Sequence, residues 1–181
     1  MQQRRAFDDG AAHHMALLAM EQYGVMLAGL GGGKLHPAAT RTGILAALRE
    51  GLVPVWMPTR MVLGRPDIAE SWDVTSDSLA AWLAGRLAAG TLILVKSVAV
   101  EPGSTIQDLV GAGVVDAALP GFLARARCGF HCIPATEAAA LAHAIAAGTP
   151  PGVFVSAASA CVAGGKGDDN IHCRPGARSV H

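Results

Sequence analysis

Aromatic residues make up only 4% of this 181-residue chain, while 51% of it is apolar, so any core must be built from Ala, Leu and Val. No charge of one sign prevails. Fourteen Lys and Arg balance fourteen Asp and Glu, which argues against nucleic acid or an anionic membrane surface as the main partner. No apolar run reaches the roughly 18 residues that a membrane span needs. The opening Met1-Gln2-Gln3-Arg4-Arg5 lacks a signal-peptide pattern, so a cytoplasmic location is expected. Four cysteines in that setting are expected as thiols, not as a disulfide framework. Neither a Gly-x-Ser-x-Gly elbow nor a His-Glu-x-x-His pair occurs, and hydrolase chemistry has no support.

What is present alternates between helical and strand-like stretches, enough for one domain over residues 1–155 with a buried core. Asp8-Asp9 precede a helical period over Ala11–Leu30 that puts Leu17, Met20, Tyr23 and Leu27 on one face, with His13 toward solvent and His14 toward the core. Gly31-Gly32-Gly33 should stop that helix. Followed by Lys34, the same glycines could suggest a phosphate cradle, but they close a helix instead of opening one, and the Ser or Thr of a Walker-type loop is missing. Thr40 should cap a helix over Arg41–Glu50. Leu52–Met57 reads as a strand, with Pro54 pointing to an edge or a strand start, and Arg60–Leu63 as a short returning strand.

Further on, the stripe Leu79, Trp82, Leu83, Leu87 marks a helix over Leu79–Ala89. Thr91–Val95 is apolar without alternation, as a strand covered on both faces should be. Ile106–Val110 is a short helix or turn, Val114–Leu119 and Gly129–Ile133 are weaker segments, Thr136–Ala147 is a helix, and Gly152–Val155 is a last strand. Residues 156–181 turn to Ala, Gly and Ser without hydrophobic period and are expected to be a disordered tail.

The loop Trp72-Asp73-Val74-Thr75-Ser76-Asp77-Ser78 carries the most chemistry, with two carboxylates four residues apart where a helix opens. Helix N-termini favour anions, so Asp77 would be held ionised there. The plain alternative is that Ser76 or Asp77 only caps the helix. Cys128, His131 and Cys132, with Cys161 and the adjacent His172-Cys173, raise a zinc reading, but the second pair has poor ligand spacing and no metal site is expected.

Four segments in order give the chain a resemblance to the amino acid kinase superfamily, and within it to the aspartokinase-like kinases of methanofuran biosynthesis. They are His13–Tyr23, Trp72–Ala84, Leu92–Val98 and Gly113-Val114-Val115-Asp116. The resemblance implies a three-layer α/β/α sandwich with a mainly parallel sheet, and ATP-dependent phosphoryl transfer to a small molecule, with a furan phosphate as the sharpest case. It also implies ATP and Mg2+ as cofactors. By the same likeness Asp77 would be catalytic, holding lysines around the transferred phosphate. Asp73, Thr75 and Ser76 would lie on the acceptor side, the last two as phosphate contacts or simple caps. Lys96, Ser97 and Asp116 would lie on the nucleotide side, with Asp116 touching the ribose or closing its loop.

The family's opening Lys-x-Gly-Gly strand has no counterpart after Met1. The first strands are therefore expected to be missing, with a bared sheet edge and a homo-oligomer as consequences. A non-catalytic nucleotide- or metabolite-binding regulatory subunit of the same fold is the alternative, and a small zinc-binding accessory protein a weaker third.

Overall fold

A computed structural model describes residues 7–156. The tail expected over 156–181 falls outside these residues but for Ser156, as do Cys161, His172 and Cys173. The first helix, α1, spans Asp9–Leu30. Asp8 caps it, its carboxylate accepting from the Ala11 N–H at 2.6 Å, and Gly31 ends it. Gly32 and Gly33, both at positive φ, then turn the chain into β1 (Leu35–Ala38).

Helix α2 (Arg41–Arg49) carries the chain to β2 (Val53–Trp56), which pairs in parallel with β1 from Leu35↔Val53 to Ala38↔Trp56. Thr40 caps α2 as expected, accepting from the Gly43 N–H at 3.0 Å. Where a returning strand was expected at Arg60–Leu63, the chain forms the short helix α3 (Thr59–Val62). Pro58 presets a helical φ of −76° ahead of it, and Glu21 of α1 accepts from the Thr59 N–H.

Helix α4 (Ser76–Leu87) feeds β3 (Thr91–Lys96); α5 (Ile106–Gly111) and α6 (Leu119–Ala126) lead to β4 (Gly129–Pro134). β3 and β4 are parallel, and β5 (Val153–Phe154) joins β4 antiparallel. The segment expected as one helix over Thr136–Ala147 is a 3-10 turn, Ala135–Ala140, followed by α7 (Leu141–Ala146). The fold is thus mixed α/β, with a parallel two-stranded sheet and a mixed three-stranded one. It differs from the single, mainly parallel sheet expected: β2 and β3 share no ladder, so β1 and β2 form a sheet of their own.

The core is aliphatic, as the composition implies. Leu17, Val62, Leu79, Leu119 and Phe130 are buried in one cluster that spans both halves of the chain. Trp82 belongs to it and stacks on Trp56 at the end of β2, ring centres 6.2 Å apart. Two expectations of burial fail. Tyr23 and Leu27 of α1 are exposed while Ala12, His13 and Gly24 face inward, and Val95 is half exposed, so β3 is not covered evenly on both faces. Among the described residues no helix is long and apolar enough to cross a membrane.

Candidate functional site

The first turn of α4 and the last residue of β3 meet in one ion pair. Lys96 donates from Nζ to Asp77 Oδ2 at 2.7 Å, with the two side chains 16% and 12% exposed. Asp77 sits there because α4 begins at Ser76, one residue before it and three before the expected start at Leu79. Lys96 sits there because β3 runs one residue past Val95 and ends at its carboxyl edge. Both side chains are largely withdrawn from water, and each is the other's charged partner. Cys132, opposite Leu94 on β4, lies close by. Burial pushes its thiol up to about 11, with Lys96 opposing the shift and Asp77 reinforcing it.

Beyond the pair opens a cleft of about 370 Å³ between Lys96, Ser97 and Val98 on one side and Ala112, Gly113 and Val114 on the other. Its place, past the carboxyl end of a parallel strand, is where open α/β sheets bind ligands. Ser97 is exposed on its wall. Gly113 is at φ +66°, and its turn is held by bonds from the Gly113 and Val114 N–H groups to Val110 and Leu109.

Asp116 does something else. Its Oδ2 accepts from the Thr75 N–H and hydroxyl, each at 2.9 Å, and from the Ser78 N–H at 3.0 Å. Its Oδ1 accepts from the Ser78 hydroxyl and from the Leu119 N–H at 2.9 Å. Burial works against its charge, but the donors of Ser78 and Thr75 prevail and hold the carboxyl below its usual value. Five donors engage its two oxygens, and together they tie Asp116 to the starts of α4 and α6.

This explains the acceptor-side residues. Thr75 occupies the N-cap position of α4, yet its hydroxyl does not cap its own helix; it donates to Asp116. Ser76 is exposed. Asp73 is also exposed, and it is fixed by its main chain, whose carbonyl accepts from the Ala118 N–H at 3.0 Å. Asp77 and Lys96 are brought together, Ser97 adjoins them along the cleft, and Asp73 stays apart from the pair.

Sequence reasoning missed Ser78, which is fully buried, and reversed the histidines of α1. His13 is the buried one, its Nε2 without a hydrogen-bond partner, and His14 is only partly covered. His13 lines a small apolar cavity of about 70 Å³ with Leu17, Met20, Trp72, Val74 and Leu79, on the other side of the Thr75 loop. The Gly31–Gly33 run ends α1 and turns the chain, as expected of a helix stop. Among the described residues no group of three or more His, Cys, Asp or Glu is placed to hold a metal ion, and Cys128 and Cys132 are free thiols.

No protein-family model matches the chain, and a search of curated proteins returns no match.

Proposed function

We propose that this chain serves ATP-dependent phosphoryl transfer to a small molecule in the manner of the amino acid kinases, with the cleft at the end of β3 as the nucleotide side. The observation that supports it is the Lys96–Asp77 pair. A lysine at a phosphate-binding edge neutralises charge that develops on the transferred group, and a carboxylate behind it fixes where the ammonium stands. Lysine has three N–H donors; Asp77 takes one, which leaves the others for phosphate oxygens.

The cleft is within the roughly 300–1,000 Å³ usual for ligand sites. Magnesium, carried by the nucleotide phosphates, would draw charge from the transferred group, and it commonly needs only one or two protein carboxylates. In the transfer, an acceptor oxygen forms a bond to the terminal phosphorus as the bond to the bridging oxygen breaks, and ADP leaves with that electron pair. The three-layer arrangement, the furan-phosphate acceptor and a cytoplasmic setting are parts of the same proposal.

A second reading rests on one observation: among the described residues the cleft is lined by a single lysine and a single glycine, with no glycine-rich run. A binding subunit would need no more than this. Calorimetric titration with Mg-ATP, paired with an ADP-release assay over small alcohols, phosphates and carboxylates, separates the two. Transfer predicts saturable binding and acceptor-dependent ADP release. Lys96→Met should weaken binding about tenfold or more, as the loss of a charge-assisted contact does, and Asp77→Asn should lower turnover more than binding. Binding without turnover leaves the subunit reading, and no binding at millimolar nucleotide removes both.

A further inference from the structure

In a chain whose formal net charge is zero, arginines from four places in the sequence gather at one groove. Arg86 and Arg125 stand in the last turns of α4 and α6. The two helices touch there: a Cβ on Gly85 would meet the Ala126 main chain at 3.1 Å. Arg86 and Arg125 therefore line one cavity of about 240 Å³, together with Trp82 and Phe122. Arg65 reaches the same Trp82 ring from the loop after α3. Arg41, at the start of α2, donates from Nε to the Arg86 carbonyl at 2.9 Å.

Aromatic rings seat these guanidiniums. Arg86 follows Trp82 by one helical turn and Arg125 follows Phe122 likewise, the spacings at which helix side chains meet. Their guanidinium carbons stand 5.2 and 4.4 Å from the respective ring centres, and that of Arg65 stands 5.8 Å from the Trp82 centre. Such contacts draw on the charge and leave the N–H donors, five on each guanidinium, for other acceptors. Among the described residues Asp67 is the carboxylate on the cavity wall. Its oxygens are already taken, by Arg65 Nε at 2.8 Å and Trp82 Nε1 at 2.9 Å, and these donors hold its carboxyl down at about 2. Among the described residues Arg86 and Arg125 have no carboxylate partner. A helix C-terminus by itself favours a cation. That accounts for each arginine singly, but not for a cavity that both of them line.

We propose that this groove is a second ligand site, which takes a small metabolite by its phosphate group between Arg86 and Arg125. A guanidinium fits phosphate oxygens with paired N–H bonds, and two of them balance the charge of a phosphate monoester. The cavity is smaller than the roughly 300–1,000 Å³ usual for larger ligands, which favours a monoester over a nucleotide. Ala81, Gly85 and Ala126 complete the lining and leave room for a short carbon chain. The site is distinct from the cleft at Lys96. Asp77 lies in the first turn of α4 and Arg86 in the last, roughly 13 Å apart along the helix axis.

Calorimetric titration of the full chain with glycerol 3-phosphate, and separately with inorganic phosphate, at fixed ionic strength is the test. It is run on wild type and on Lys96→Met, so that the cleft at β3 does not contribute. Saturable binding with a Kd on the order of 1 mM, kept in Lys96→Met, is expected. Arg86→Gln or Arg125→Gln should each weaken it about tenfold, and the double variant should abolish it with an unchanged circular dichroism spectrum. Arg86→Lys keeps the charge and loses the fork, so it too should weaken binding severalfold. The monoester should bind more tightly than inorganic phosphate; equal affinity overturns the metabolite and leaves a site for free phosphate. No saturation by about 20 mM, binding that survives in the double glutamine variant, or equal displacement by acetate overturns the site altogether.

Discussion

Replacing Asp116 by Ala removes one carboxylate and leaves five donors behind, three of them main-chain N–H groups at the starts of α4 and α6. The two hydroxyls can turn toward water, so the loss falls mainly on the main chain. An N-terminal cap contributes about 1 kcal/mol, and a buried N–H left without an acceptor costs about 1–3 kcal/mol. For two helix starts and a half-buried site the expected loss is about 3–4 kcal/mol, a large part of the roughly 5–15 kcal/mol that holds a domain. Urea unfolding followed by circular dichroism would show it as a midpoint about 2 M lower, given a slope of roughly 1–3 kcal/mol per M. Asp116→Asn, which keeps one acceptor oxygen, should fall between. The sign of the pH effect is fixed as well. The folded carboxyl is held below its usual value, so its contribution is complete above the unfolded pKa of about 3.9 and is lost as pH falls through the lower folded value. The gap between wild type and Asp116→Ala should therefore narrow as pH falls below about 4, toward the smaller gap that Asp116→Asn leaves. A midpoint drop under about 0.5 M at neutral pH, where 3–4 kcal/mol is expected, would show that the donors find other partners and that Asp116 does not tie the two helices.

Gly152 is at φ +79°, and a Cβ there would overlap the carbonyl of Cys132; Gly152→Ala should cost about 2–3 kcal/mol, with early exchange of the Val155 amide that bonds Phe130. Cys132 is fully buried and its thiol is raised to about 11, so iodoacetamide at pH 8 with peptide mapping should label Cys128 and spare Cys132 until the protein unfolds; equal labelling of the folded chain would refute that burial. Leu17 is fully buried in the core and borders the apolar cavity; Leu17→Ala should lower stability by about 2–5 kcal/mol in the same urea assay.

What could be read from the residues follows the reach of the physics involved. Local signals held: the Thr40 cap, the glycine stop after α1, and the apolar runs of β2 and β3 depend on neighbours a few positions away, whereas β4 showed only as a weak segment. β1 escaped because its four residues include His36 and Pro37, which no strand pattern favours. The inward face of α1 was misread because a helix with apolar residues on every side has no period to follow. Lys96 was legible as a residue at a strand end and Asp77 as one at a helix start, but their meeting depends on how α4 lies against β3. The Asp116 cluster was the least legible, since its donors at Thr75 and Ser78 lie 41 and 38 residues away.

The two sheets share a core, but neither of them contains a strand of the other. What links the N-terminal β1–α2–β2 unit to the C-terminal sheet is side-chain matter: Trp56 stacks on Trp82 and packs against the common cluster, and Arg41 reaches the Arg86 carbonyl at 2.9 Å. Such a seam can part without breaking a strand ladder, so the molecule has two natural units of opening. On gentle heating, amides of β1 and β2 should exchange as one group and those of β3 and β4 as another. Ligand held at the end of β3 would then slow the second group directly and the first only through the tryptophan seam.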